Sequence, residues 1–377
     1  MSGQTPEHVT SLSAMKKASF ASASIALAVL ALAACSDGAV DSPGTESSVP
    51  PVAEAPAAPP AQTATPEEPA RPPVTPACSP SVPRTTPLEV SVLPDAGATP
   101  FVSVLQRATK TIRVMVYQMG TGPILDTLEA KAKAGVNVQV ILDVVQKDTN
   151  EKYMTRLLAA GANVIWSDAK FQYMHAKLII VDEKEAVIST GNYAAFRMNM
   201  ERNYAVRDAD PADLDVLVKL FDADFARKEP DLTCTRLLVS PVTAKQRLLD
   251  FIATAKKEVL VESMQLADQD VRSALAARKS AGADVRVLLA DPSWIDANAD
   301  AAAFLAGKGI PARHMKEPGV HTKAVVVDGT TAYAGSINFS WTSLTKNREV
   351  GVLVDEASNV ASMRSTFEKD WASATPF

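Results

Sequence analysis

The strongest constraint on how this chain folds is that, past residue 88, it reads twice. RATKTIRVMVYQM (Arg107 to Met119) runs from a helix end into a strand with apolar residues alternating at Ile112, Val114 and Val116. ATAKKEVLVESMQL (Ala253 to Leu266) does the same with Val259 and Val261, and each strand leads to a glutamine, Gln118 or Gln265. ILDTLEAKAKAGVNVQVILD and VRSALAARKSAGADVRVLLA then show helical apolar spacing, stop at an Ala-Gly suited to a helix end, and resume as a β-rich strand. RLLAAGANVIW and AFLAGKGIPAR repeat helix, glycine, strand. A period of about 146 residues is too long for a solenoid and indicates duplicated domains. The order strand, helix, strand, helix, strand, strand, met twice, predicts two similar α/β sandwich domains related by pseudo-twofold symmetry, with sheets flanked by helices. Their boundaries are placed at 88–232 and 233–377.

The fourth pair of segments carries the chemistry. MHAKLIIVDEKEAVISTGN (Met174 to Asn192) and VHTKAVVVDGTTAYAGSIN (Val320 to Asn338) each place a histidine, a lysine two residues on, four apolar residues, an aspartate and then a turn of small residues ending in asparagine. Beyond the N-terminal leader the chain has three histidines. His175 and His321 are equivalent in the repeats, and His314 has no counterpart. Each of the pair is expected to begin a strand. Residues two apart on a strand face one side, so His175 with Lys177 and His321 with Lys323 project together. The turns bring Asn192 and Asn338 back to the same spot. Two imidazoles, two ammoniums and two amides in one pocket suit a phosphodiester and the negative charge of its pentacoordinate transition state.

The second copy, His321-x-Lys323, Asp328, Gly335-Ser336-Ile337-Asn338, matches the full signature of the phospholipase D superfamily, and the chain from about residue 88 resembles that family. The first copy departs from it at Ser189 and Thr190 but keeps Asn192 in register. The resemblance implies that one histidine attacks phosphorus to give a phosphohistidine. The other protonates the leaving alkoxide and then activates water or an alcohol. Likeness to two-motif members makes His175 the nucleophile and His321 the acid and base, although the residues themselves leave that symmetry unbroken. Glu201 and Glu349, at nearly equal distances after the motifs, resemble the family's acids that bond the second imidazole nitrogen. Asp182, Asp328, Thr190 and Ser336 are read as supporting residues, the aspartates because the strand carries them far from the histidines. No metal site and no cofactor are implied, since no His, Cys and Asp cluster has ligand spacing.

Residues 1–34 have the layout of a secretory signal: Lys16-Lys17, an apolar run and small residues. Leu32-Ala33-Ala34-Cys35 resembles a bacterial lipobox, which implies cleavage before Cys35 and acylation of its thiol. Residues 35–87, dominated by Pro, Ala, Ser, Thr and Glu, are read as a disordered tether. The expected location is the bacterial cell envelope, lipid-anchored on the outer membrane or periplasmic face, or secreted. In that oxidising setting Cys78 and Cys234 are expected to pair as a disulfide.

The formal net charge of −5, without an arginine-rich stripe, disfavours nucleic acid as partner. The reading is therefore a phospholipase D-type hydrolase that acts as a monomer on phospholipid at a membrane surface, releasing phosphatidate and head-group alcohol, with transphosphatidylation as a further outcome. A metal-independent endonuclease, a cardiolipin synthase-like phosphatidyltransferase and a non-catalytic envelope scaffold are the alternatives. In NFSWTSLT, Phe339, Trp341 and Leu344 are either an interfacial lipid surface or packing beneath the loop.

Overall fold

A computed structural model describes residues 83–377. The signal segment, most of the tether, Cys35 and Cys78 lie outside the described residues. Cys234 is disulfide-bonded. Contacts with the folded part begin inside the stretch read as tether. The Arg84 guanidinium pairs with Asp213 at 2.8 Å and donates to the Leu353 carbonyl, and the Thr85 amide donates to Asp210.

The first repeat runs β1 (Glu89–Leu93), α1 (Thr99–Arg107), β2 (Thr111–Val116), α2 (Pro123–Lys133), β3 (Asn137–Leu142), α3 (Lys147–Ala159), β4 (Asn163–Trp166), β5 (Lys177–Val181), β6 (Glu185–Ser189), α4 (Ala195–Met198), β7 (Glu201–Asp208) and α5 (Pro211–Phe225). The second runs β8 (Leu238–Ser240), α6 (Ala244–Ala253), β9 (Glu258–Ser263), α7 (Gln269–Ser280), β10 (Asp284–Ala290), α8 (Ala297–Ala306), β11 (Ala312–Met315), β12 (Gly319–Val320), β13 (Lys323–Val327), β14 (Thr331–Gly335), α9 (Trp341–Thr345), β15 (Glu349–Val354), α10 (Ala357–Ser373) and β16 (Thr375–Pro376). The sheets have matching cores: order β1-β7-β6-β5-β2-β3-β4 in one and β16-β11-β10-β9-β13-β14-β15-β8 in the other. The Ala-Gly helix ends are as expected. Ala134 and Ala281 cap α2 and α7, and Gly135 and Gly282 follow with φ of 87° and 95°, a left-handed geometry that glycine adopts without strain.

The central strands β5 and β13 are buried on both faces, which is why they read as unbroken apolar runs. Alternate residues go to different cores. Leu178, Ile180, Ala324 and Val326 join one core shared by both sheets with α5 and α10, including Phe221, Met363 and Phe367. Ile179 and Val181 enter the core under α1 and α2, and Val325 and Val327 the one under α6 and α7. The duplicated sheets therefore share hydrophobic interior, so the repeats are not two independent globules.

Asp182 and Asp328 hold the start of the neighbouring strand. Asp182 accepts from the amides of Thr109, Lys110 and Thr111, and Asp328 from those of Lys256, Lys257 and Glu258. Burial pushes the Asp182 carboxyl up, but these donors outweigh it and hold it at about 2.

Two ion pairs cross between the repeats in matching fashion. Arg202, beside β7's first residue, makes a bidentate contact with Asp370 of α10 at 2.5 and 3.0 Å. Arg348, just before β15, meets Asp224 of α5 at 2.8 Å. All four side chains are buried, so removing one partner strands a charge. Asp370→Asn should cost about 3–5 kcal/mol in urea unfolding. A loss below about 1 kcal/mol would show that Arg202 is stabilised by other partners.

Candidate active site

The histidines do not lie on the regular strands. β5 and β13 begin at the lysines, and each histidine sits just before, on backbone held by the opposite repeat. The His175 and Ala176 amides donate to the Arg348 carbonyl, both at 2.9 Å, and the His321 amide donates to the Arg202 carbonyl at 3.1 Å. β12 pairs with β7 in register Gly319 to Glu201, and Met174 bridges Arg348 in the same sense. Each imidazole is thus placed by the strand that carries the other repeat's arginine. This crossing brings both motifs into a single cleft of about 690 Å³ whose lining includes His175, His321, Asn192 and Asn338.

The lysines sit beneath that cleft, not on its wall. Lys177 and Lys323 are 1% and 0% exposed, and each donates from Nζ to the carbonyl of its own histidine, at 2.5 and 2.6 Å. Lys323 also reaches the Thr190 carbonyl at 3.2 Å, crossing to the other repeat. Burial drives the Lys323 ammonium down to about 7 and Lys177 well below the lysine range, so the expected pair of full ammonium charges is weakened by desolvation. The asparagines are poised for a ligand: the Oδ1 atoms of Asn192 and Asn338 are buried without a protein partner.

The turn residues are structural, and the two copies solve the turn differently. Ser336 Oγ accepts from the Val350 amide, and Thr190 Oγ1 accepts from the Tyr204 amide while donating to Asn203 Oδ1. At Gly335 a Cβ would come within 2.4 Å of Gly351 Cα and 2.8 Å of the Tyr333 hydroxyl oxygen, so only glycine fits. Val187 stands where Tyr333 does and Ala205 where Gly351 does, and the first copy accommodates Ser189, whose hydroxyl accepts from the Gly191 amide.

The acids require a correction. Glu201 and Glu349 both reach imidazoles, but each serves the other repeat's histidine and they are not equivalent positions. The strand register sets Ala205 opposite Ser189 and Gly351 opposite Gly335. This aligns Arg202 with Arg348, Asn203 with Glu349, and Glu201 with Asn347. The triplets Glu-Arg-Asn and Asn-Arg-Glu are therefore reversed copies. His175 Nδ1 meets Glu349 Oε2 at 2.8 Å, with Asn347 donating to the other carboxylate oxygen. His321 Nδ1 meets an amide, Asn203 Oδ1, at 3.2 Å and Glu201 Oε2 at the same distance. Aligning the sequence on the arginines, not on the glutamates, would have found Asn203 and Asn347. The two-residue offset escapes notice because positions two apart share a strand face.

This asymmetry is electrostatic as well. Burial pushes Glu349 up, but His175 and Lys177 outweigh it and hold its carboxylate ionised. Burial raises Glu201 above the ordinary range against the pull of Arg197 and Lys323. Burial lowers His175 to about 4, opposed by Glu349, and takes His321 well below the imidazole range with help from the Lys323 charge. At neutral pH His175 is neutral, its proton on Nδ1 toward Glu349, and Nε2 is left with a free lone pair.

The surroundings also differ. Tyr117 presents its ring edge to His175 at 4.7 Å, and its hydroxyl accepts from Gln146. Trp294 stacks on His321 at 5.9 Å. Asn150 and Asn298, both fully buried, pin the loops after β2 and β9 by accepting from the Met119 and Leu266 amides. Of the residues read as lipid surface or packing, Phe339 and Leu344 are buried in the second-repeat core and Trp341 is exposed, with Lys346 over its ring at 5.3 Å. Phe196 of α4, Met200 just after it, and Trp294 are exposed.

Among the described residues no group of His, Cys, Asp and Glu is arranged to hold a metal ion, and no helix is long and apolar enough to cross a membrane.

Replacing Glu349 by glutamine should lower the His175 titration below about 4 in NMR and reduce turnover by about 10²-fold or more. An unfolded imidazole titrates near 6.5 and the folded His175 near 4, so His175 costs the protein stability as pH falls through that window. A titration of His175 near 6.5 in the folded protein would overturn this assignment.

Comparison with known proteins gives one family. The family described as "Cardiolipin synthase, PLD-like domain" matches residues 101–228 and 248–371. A cardiolipin synthase of Clostridium perfringens is 24% identical over 321 residues, 71% of this chain and 67% of that protein. A polyphosphate kinase of Pseudomonas aeruginosa is 29% identical over 175 residues, 42% of this chain and only 25% of its own length. Among solved structures, a polyphosphate kinase from Porphyromonas gingivalis superimposes with TM-score 0.61 at 15% identity, covering 74% of this chain and 46% of that one. A phosphatidylserine synthase from Haemophilus influenzae gives TM-score 0.60 at 13% identity, covering 76% and 87%. At such identities the structural matches establish a shared fold.

Proposed function

The chain belongs to the phospholipase D superfamily and carries its PLD-like domain twice, and from that premise we propose that it transfers the phosphatidyl group of a phospholipid through a phosphohistidine. The acceptor is water, as in hydrolysis, or an alcohol. The single observation that carries the reading is the convergence of both motifs, each histidine held by the opposite repeat, on one cleft.

His175 is the nucleophile in this proposal. The fully buried, ionised Glu349 fixes its tautomer and supports the positive charge that forms when Nε2 attacks phosphorus. His321, shared between an amide and a carboxylate, is the acid and base. The negative charge of a diester in the cleft favours the protonated form of His321, which donates its proton to the departing oxygen. It then removes the proton of the water or alcohol that attacks the phosphohistidine. Asn192 and Asn338 line the cleft and can turn their amide N–H groups to the nonbridging oxygens, with the lysines below, whose affinity for protons the anionic diester raises.

Phospholipid is favoured over nucleic acid by the rim. Phe196, Met200, Trp294 and Trp341 are large exposed apolar side chains around the cleft and its margin, and cations accompany them: Arg197 next to Phe196 and Lys346 over Trp341. Aromatics paired with cations suit the interface of a bilayer. The relatives named cardiolipin synthase align along most of the chain, which favours an alcohol acceptor over hydrolysis alone. Acylation at Cys35 in a cell envelope, and a Cys78–Cys234 disulfide, complete the proposal.

The test is product analysis with the whole protein and vesicles of mixed head groups. Phosphatidate or a new phosphatidyl ester is expected, reduced about 10²–10⁴-fold in His175→Ala and His321→Ala. Products unchanged in both variants, or cleavage of oligonucleotides with none of lipid, would overturn it. Trp341→Ala with Phe196→Ala should weaken vesicle co-sedimentation by about tenfold. Undiminished binding would place the membrane contact elsewhere.

A further inference from the structure

The active-site cleft continues past His321. Arg197, Glu201 and Trp294 line both it and a second cleft of about 280 Å³, whose other walls include Phe196, Met200, Ser293 and Lys316. Trp294 forms the join: its indole stacks on the His321 ring at 24° between planes. Beside His175 stand Tyr117 and the Gln146 amide bonded to it. The neighbours of the two histidines thus differ, and beyond His321 the cleft runs on into the second one.

In an in-line displacement the nucleophile enters opposite the departing oxygen. With His175 attacking, the bond that breaks points toward His321. We propose that the second cleft is the alcohol subsite, receiving the alcohol portion of the diester as it leaves and the acceptor alcohol that replaces it. This rests on the phosphatidyl-transfer reading with His175 as nucleophile. In the first step the His175 Nε2–P bond forms, the P–O bond to the alcohol breaks, and the His321 proton passes to that oxygen. In the second an alcohol oxygen attacks phosphorus, the P–N bond breaks, and the alcohol proton returns to His321.

Size and lining define the class of alcohol. About 280 Å³ lies just below the range of drug-sized sites and gives room for a head group. Asp291 and Glu317 offer carboxylates to hydroxyl or ammonium groups, Lys316 offers a cation, and Trp294 with Met200 covers the carbon skeleton. A small polar primary alcohol such as glycerol or ethanolamine fits that set.

Water and alcohol compete for the same phosphohistidine, so the ratio of transfer to hydrolysis product is independent of how much enzyme is folded or how fast the first step runs. The experiment measures that ratio for the whole protein on phosphatidylcholine vesicles with glycerol, ethanolamine or methanol. It compares the parent with Met200→Trp and Ser293→Phe, which fill the cleft from opposite walls. The glycerol or the ethanolamine ratio should fall about tenfold or more in both variants, and the larger fall tells polyol from amino alcohol. The methanol ratio should hold, since methanol needs no cleft. Unchanged glycerol and ethanolamine ratios, or an equal fall with methanol, would overturn the subsite. Running the same competition on bis(4-nitrophenyl) phosphate separates the two readings, because a failure on lipid with partition intact on this diester removes only the phospholipid assignment.

Discussion

The rest of the structure depends on the exchange of backbone between the repeats at the histidines. The carbonyls of Arg348 and Arg202 accept the amides of His175 and His321, and the guanidiniums of the same two arginines are anchored in the opposite repeat's helices, at Asp224 of α5 and Asp370 of α10. A bond of this kind contributes only about 1 kcal/mol net, but breaking it leaves a buried donor or charge uncompensated. Its main effect is positional: neither imidazole can be set without the other repeat.

That arrangement explains how a chain of modest negative charge keeps a site suited to an anion. The lysines are fully buried and tied to the histidine carbonyls, so they cannot be drawn away by solvent or by surface carboxylates. Desolvation lowers their affinity for protons, and an incoming diester restores it. Fixed donors and unpartnered amides await the ligand without reorganisation, the condition under which electrostatics assists most.

Duplication did not leave the halves equal. Reversal of Glu-Arg-Asn to Asn-Arg-Glu gives one histidine an ionised carboxylate and the other an amide with a carboxylate beside it. Trp294 and Tyr117 extend the difference to the neighbours of the imidazoles, one stacked on His321 and the other edge-to-face with His175. A pseudo-symmetric scaffold thereby distinguishes the two ends of a reaction that is itself asymmetric.

Much was legible from the residues alone. Apolar alternation and the Ala-Gly stops fixed strands and helices, since those signals are local, and the paired motif pointed to the family and to the histidines and asparagines that meet in one cleft. The supporting aspartates were legible too, because distance along a strand is set by geometry. What the linear order could not decide was who partners whom. That Glu349 serves His175, that the histidines precede their strands, that the lysines lie under the floor and that Phe339 is core while Trp341 is rim all follow from the packing of one repeat against the other. Sequence carries the period of each element; only the tertiary structure brings residues 174 positions apart within 2.8 Å, and a burial-driven pKa exists only there.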